Sequence, residues 1–453
     1  MTTMSTDADM ELLAAPGFPA DAVRAISERS SEPAWLRDRR VAAHALWQET
    51  PMPTTRDEHW RFTSLRGLDL EAAATFTADA QSFETTRVLE ACSVAGAAEY
   101  SARFVSVNSE LRSSELVSAA LPDGVVVASL SDAVRDHEEL VSTYLGRAVP
   151  ASASVNDKFV SLNDAAWTCG VFVHVPRSVS VELPIEFITA HATDAATVQP
   201  RIIVVLEAGA RATFIDESVS VGGASTALSN AVVELLVGRG AHLTYVTTQN
   251  LSTSVDHFST HRVLAEQDAQ VDWVAVGLGG GRGKARMEAR LLGPGASVKL
   301  TGAYALDGRQ LIDYDTHQFH EAPNAFSDLS FKGVLDGHAR SVWRGMIAVL
   351  PGAQGTDSYQ ENRNLLLAPT AHADSIPGLQ IEANEVRCTH GATLSKVDPE
   401  QLFYLMARGV HRPEAVRTIV RGFFAPQLDR IADTGLRERV SDSLYARLDA
   451  IAR

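Results

Sequence analysis

Disulfide chemistry is the first thing this sequence lacks. Its 453 residues include three cysteines, Cys92, Cys169 and Cys388. An odd, sparse set builds no disulfide framework, and free thiols suit a reducing cytoplasm. Long apolar runs are missing too: no stretch approaches the ~20 residues that span a bilayer. The first residues, Met1 to Met10, are acidic and polar, without the basic stretch and apolar run of a secretory signal. Basic residues are in deficit, 40 against 56 acidic ones, for a formal net charge of -16. Such a surface repels phosphate backbones and anionic lipid headgroups, so neither nucleic acid nor a membrane is expected as a partner. The charge is read as solubility, and the protein is expected to be cytoplasmic.

Signatures of catalysis are scarce as well. The run Gly277 to Gly283 has no Walker ending, because Lys284 is followed by Ala285, and it opens no helix. It reads as a flexible hairpin. Neither a His-Glu-x-x-His nor a Cys-x-x-Cys pattern occurs, and no nucleophile elbow stands out. His317, His320, His338, His372 and His390 therefore read mostly as surface or satisfied structural residues. Asp313 and Asp315 share a strand face with His317. That trio suits a divalent ion, but a solvated polar face is the preferred reading.

What is present is a clear order of patterns. Length suggests two or three structural units, and 45% hydrophobic with 21% charged residues is ordinary for a folded chain. Pro19 to Arg29 carries Ala22, Val23 and Ile26 at helical spacing. A second helix starts around Pro33, with Trp35, Leu36, Val41 and Leu46 as its apolar stripe, and Pro51 and Pro53 stop it. Glu58 to Leu70 is a loop or short helix with Trp60 and Phe62, and a strand at Val125 to Val127 precedes a helix near Ser131. From Trp167 the period becomes two. Val171, Val173 and Val175 share a strand face, and short apolar runs follow at Ile202 to Leu206, Val232 to Val237, Val271 to Val276 and Met346 to Leu350.

A turn unit recurs within this stretch: a Gly or Asp turn, an alanine, then an alternating strand. Its alanines, Ala210, Ala241, Ala269 and Ala296, lie 31, 28 and 27 positions apart. Near-constant spacing of one unit per repeat suggests stacked coils, ahead of an antiparallel sandwich of hairpins. After Asp398 the period is helical again. Asp398-Pro399-Glu400 is a helix start, with Leu402, Phe403, Leu405 and Met406 as the apolar face and Gly409 as the stop. A second helix, Pro413 to Phe424, carries Val416, Ile419, Val420 and Phe423, and Pro426 breaks it. A third has Leu436, Val440, Leu444 and Leu448. Open solenoid ends expose strand edges, which helical caps or another chain must cover.

Within Gly378 to Thr393, Cys388 and His390 project from one strand face with Cα atoms about 6–7 Å apart. Iron accepts both thiolate and imidazole. Two ligands leave a tetrahedral site incomplete, so further donors would come from elsewhere, including another chain.

Here the chain resembles a known family. Ile381 to Thr393, Leu402 to Val410, Ala353 to Leu367 and Phe331 to Leu335 are similar to the SufB/SufD family of iron–sulfur cluster assembly proteins, as are Pro51 to Thr54 and Glu58 to Phe62. The resemblance implies a mainly β fold: a right-handed parallel β-helix at 156–393, between an N-terminal helical region with a short α/β part at 1–155 and a C-terminal helical domain at 394–453. It implies a scaffold, not an enzyme, that pairs with SufB and docks the SufC ATPase through its C-terminal helices. No tightly bound cofactor is expected, only transient iron or a nascent cluster at a subunit interface. His390 matches the histidine of the SufD branch that lines this site, and Cys388 a nearby cysteine of less defined role. SufB-like chains carry a cysteine before the leucine-rich run and a Glu-His-Glu triplet downstream. Here stand Asn362-Arg363 and Thr389-His390-Gly391, which favours SufD. Ser31 to Trp35 and Lys396 to Leu402 look SufB-like. The alternatives are a SufB-like scaffold and a metal-independent adaptor of an ABC-type ATPase. A homodimer in isolation is a further expectation.

Overall fold

The computed structural model describes residues 17–68, 70, 84–96, 99–152, 157–192, 197–222 and 227–451. The polar stretch Met1 to Met10 lies outside them. Between Cys169 and Lys396 the chain winds as a parallel β-solenoid of eight coils, each giving one strand to each of two facing sheets. The first coil is Cys169–Val175 and Ile185–His191, and the last is His372–Ile381 and Arg387–Lys396. Pairing from coil to coil is parallel and in register, as in Tyr245↔Trp273 and Trp273↔Leu300. Parallel register excludes the sandwich of hairpins.

The corners explain the repeat. Gly209, Gly240, Asp268, Gly295 and Asn324 all hold φ between 56° and 73°, the left-handed region that favours Gly, Asn and Asp. Each donates its N–H to the corner of the next coil, for example Gly209 to the Arg239 carbonyl at 2.8 Å and Asp268 to the Pro294 carbonyl at 3.0 Å. The following residue is Ala210, Ala241, Ala269, Ala296 or Ala325, each almost completely buried. The alanine turns inward where coils stack about 4.8 Å apart, and a larger side chain would hold the corners open.

Between the sheets lies a core of Val, Leu and aromatic residues, including Phe214, Tyr245, Trp273, Phe331 and Trp343. The glycine run at 277–283 is one corner of this solenoid. It joins Gln270–Gly277 of one sheet to Arg282–Leu291 of the other, and the two strands do not pair, so the expected hairpin is absent. Gly279 and Gly281 are required there because a Cβ would lie 2.2 Å from the Leu251 carbonyl oxygen and 2.1 Å from the Thr253 carbonyl oxygen.

Elements outside the solenoid cover its faces unequally. Ala102–Val107 adds a strand beside Ile185–His191, and Glu110–Leu116 closes that edge antiparallel. Val126–Ser129 closes the other sheet antiparallel to Cys169–Val175. The helices Ala20–Arg29, Ala34–Glu49 and Asp157–Ala166 pack over the second sheet, where Trp60, Phe159 and Phe258 stack. Ala34–Glu49 buries Leu36, Arg40, Ala43, His44 and Trp47, while Val41 of the expected stripe is exposed. Arg40 replaces an apolar residue because Glu32 and the Ala165 and Trp167 carbonyls satisfy its guanidinium. Arg412–Leu428 and Thr434–Ile451 pack on the outer face of the first sheet, burying Val420, Phe424, Leu444 and Leu448 against Val274, Ala303 and Val334. Arg412–Leu428 runs through Pro426 where a break was expected. The proline sits in the last turn and costs one helical hydrogen bond, while Gln427 anchors that turn to the Gly302 and Ser330 carbonyls. These helices lie along the side of the solenoid, so the last coil has no cap among the described residues.

Candidate functional site

The uncapped coil carries Cys388 and His390. Among the described residues, Arg387–Lys396 pairs only with Asp357–Leu366, in the register Cys388↔Ser358, His390↔Gln360 and Ala392↔Asn362. In a parallel ladder, paired residues share a face. Gln360 points between the sheets, donating to the carbonyls of Gly345 at 3.3 Å and Gly378 at 3.0 Å. His390 lies above it on the same inner face, and it is exposed because no ninth coil covers it. Cys388 is half-buried against the cluster of Ile347, Val349, Ala353 and Ala383. Burial, with the nearby Asp357 charge, pushes its thiol up, so a metal binding there would displace a proton. The strand is held at its start by an ion pair between Arg387 and Asp357.

The floor under this strand is closed. Asn362 donates to the Tyr304 hydroxyl at 3.2 Å and accepts from Asn364 at 2.6 Å and Ser375 at 2.5 Å. With its donors and acceptor engaged and the residue fully buried, Asn362 ties the coils together and offers nothing to a ligand. The rim is apolar. Leu379, Ile381 and Leu394 are exposed, Leu394 by 54%. Beyond the rim, Pro399–Met406 starts as expected, with Asp398 accepting from the Glu400 N–H at 2.9 Å. This helix buries none of its residues, and Phe403 is 73% exposed. Apolar side chains gathered at an unpaired edge mark an interaction surface.

Asp313, Asp315 and His317 occupy a different place, the outer face of the second sheet under the segment 58–63. They are buried, which corrects the solvated face expected for them. Thr63 donates to Asp313 at 2.5 Å, Lys284 pairs with Asp313 at 2.8 Å, and His59 reaches Asp315 at 2.9 Å. Cross-strand neighbours alternate in charge along the register rows Glu234, Arg262, Glu288 and Arg286, Asp315, Arg344. Among the described residues, His59, Asp315 and His317 form the one group of three metal-type donors. Arg286 Nη1 lies among them, 2.7 Å from Asp315, 2.8 Å from His317 and 3.3 Å from His59. A guanidinium already holds the place of the ion, so the group is an ion-pair cluster. Burial raises the Asp315 carboxyl, but hydrogen bonds from His317 and His59 and the Arg286 charge outweigh it and hold it well below the usual range.

The structure thus places Cys388 and His390 side by side on an open edge and keeps the acidic trio apart as a clamp for the N-terminal segment. Sequence reasoning missed His59 as the clamp's other half. Its only local signal was its place in the Trp60 motif.

Comparison with known proteins accounts for nearly the whole chain. Residues 187–423 match the family model described as "SUF system FeS cluster assembly, SufBD core domain", and residues 20–187 match "SufBD protein N-terminal region". An iron–sulfur cluster assembly SufBD family protein of Staphylococcus epidermidis is 28% identical over 422 residues, covering 90% of this chain and 89% of the relative. Proteins of the same description from Staphylococcus haemolyticus, 28% identical, and Staphylococcus aureus, 27% identical, cover the same shares. An eight-coil solenoid ending in an exposed histidine, matched by both family regions, belongs to the SufBD family of iron–sulfur cluster assembly proteins.

Proposed function

We propose that this chain is the SufD-type scaffold subunit of a cytoplasmic cluster-assembly complex and has no catalytic activity of its own. The observation that carries the reading is the uncapped last coil, which exposes His390 on an unpaired edge rimmed by Leu379, Ile381 and Leu394. A SufB-like chain laid against this edge would pair with Arg387–Lys396, bury the rim, and bring its own thiolate and carboxylates beside His390. Ligands divided between two chains would hold iron or a nascent cluster as cargo, released when the seam opens. Cys388 is the second donor from this side. The SufD assignment rests on Asn362: the SufB branch has a cysteine in this region, whereas here a closed amide network fills it. The apolar helix Pro399–Met406 is the dock for a SufC-like ATPase. Without SufB, the same edge would pair with a second copy of this chain.

Co-expression with SufB-like and SufC-like partners, followed by anaerobic purification, tests the proposal. A stable ternary complex is expected. His390→Ala should preserve the complex and lose the visible absorbance of reconstituted cluster. Unaltered cluster yield in that variant would remove His390 from the mechanism and favour the metal-independent adaptor.

A further inference from the structure

The first coils of the solenoid enclose a polar stripe that the cluster-handling edge does not use. Thr189 and His191, Ser229, and His257, Ser259 and His261 face inward from strands of the first, third and fourth coils. Tyr245 donates to Asp216 at 3.2 Å, and its hydroxyl lies 3.1 Å from His261 Nδ1. Thr189 and Ser229 are completely buried and Ser259 nearly so. Their hydroxyls have no hydrogen-bond partner, nor do either nitrogen of the fully buried His191 or Nδ1 of His257. Such orphans are rare inside proteins, because each forfeits the hydration it had when unfolded. An interior pocket of about 30 Å³ opens beside His257, Ser259 and His261, where Ala275, Gly283 and Ala285 leave room.

Chemistry selects the occupant. Burial lowers His191 to about 3, His257 to about 4 and His261 to about 3, so all three imidazoles are neutral. A neutral imidazole has one donor and one acceptor, and a hydroxyl has both. A metal cation would leave the donors unmatched, and an anion would leave the acceptors unmatched. Water matches both. The six orphaned atoms, at about three hydrogen bonds per buried water, call for about two molecules. Of the residues that carry these atoms, His257 and Ser259 line the 30 Å³ pocket, which admits about two waters by volume.

We propose that this stripe is a built internal water site, joined through His261 and Tyr245 to the Asp216 carboxyl. The water supplies the missing hydrogen bonds and gives that buried carboxyl a path for proton exchange. The core of the early coils is therefore wet.

The sign of a stability change tests this in the full chain. If water bonds the two hydroxyls, Thr189→Val and Ser259→Ala each strand it and lower the Tm, by on the order of 1 to 2 °C. If the stripe is dry, the same changes delete orphans and raise the Tm, which would overturn the proposal. Oxygen-17 relaxation dispersion counts long-lived internal waters, and the count is expected to fall in Ser259→Ala. An unchanged count argues against the site. Anaerobic titration with Zn²⁺ provides the metal control. Stoichiometric binding that survives His390→Ala and vanishes in His191→Ala would replace water with an ion.

Discussion

The two ends of the solenoid solve the same problem in opposite ways. At the first coil, Glu110–Leu116 and Val126–Ser129 turn antiparallel and close both sheets, and the N-terminal helices seal the outer face. At the last coil nothing among the described residues pairs with the outer edges of Arg387–Lys396 and His372–Ile381, and apolar side chains stand in solvent. Both ends inherit the same strand geometry, so the difference lies in what the chain spends residues on. A sealed edge makes one end a foundation. A bare edge makes the other the proposed joint, and that proposal puts stability and function in separate regions.

The largest test of this contrast compares a buried core position with the joint. Trp343 is fully buried, and Trp343→Ala should cost about 4 kcal/mol in urea denaturation. Leu394→Ser at the joint should cost under about 0.5 kcal/mol in the isolated chain while weakening partner capture. Comparable losses at the two positions would mean that the open end is part of the folding core.

Next comes the clamp on the fifth and sixth coils, between the two ends. Arg286→Ala leaves Asp315 and Glu288 buried with less positive charge beside them, so a loss of about 3 kcal/mol is expected. Limited proteolysis within 58–66 should accelerate in that variant. Unchanged cleavage would show that the segment is anchored by Trp60 alone.

A smaller effect concerns pH. The imidazoles of His191, His257 and His261 are depressed by burial, so their stabilisation is present above the unfolded value of about 6.5 and is lost as pH falls. Burial raises Asp216 to about 7, and its contribution runs the other way, full below about 4 and lost as pH rises through 7. Three groups outnumber one, so these residues make stability fall on acidification from pH 6.5 to 4. Asp216→Asn should steepen that fall by about one proton, about 1.4 kcal/mol per pH unit. Equal slopes in urea titrations of the two proteins would show that Asp216 does not hold a proton in the folded state. The smallest effect returns to the joint: His390→Ala should shift the Tm of the isolated chain by less than about 1 °C, because the ring packs under no further coil.

Much of the fold was legible because a solenoid repeats its constraints. The corner alanines are evenly spaced since each one meets the same close approach. The Gly277 to Gly283 run misled because hairpins and solenoid corners use the same left-handed residues, and local turn chemistry does not say which strand comes next to which. The Asp315 and His317 face misled for a related reason. Alternation tells which side chains share a face but not what covers it, and the cover, His59 and Thr63, comes from some 250 residues earlier. His390 was singled out by its spacing from Cys388 and by the resemblance. Its exposure depends on where the coils stop, and no residue near it encodes that.

In-register stacking also makes the molecule a ruler. Eight coils have seven intervals of about 4.8 Å, which sets the sealed and bare ends roughly 34 Å apart. Inserting or deleting one whole repeat would slide the two ends by a single strand spacing and leave both chemistries intact. A change of one residue inside a strand would turn its core side chains outward. Length variation among related scaffolds should therefore come in whole-coil steps, with each step resetting the reach between an anchored N-terminal region and the open edge that carries His390.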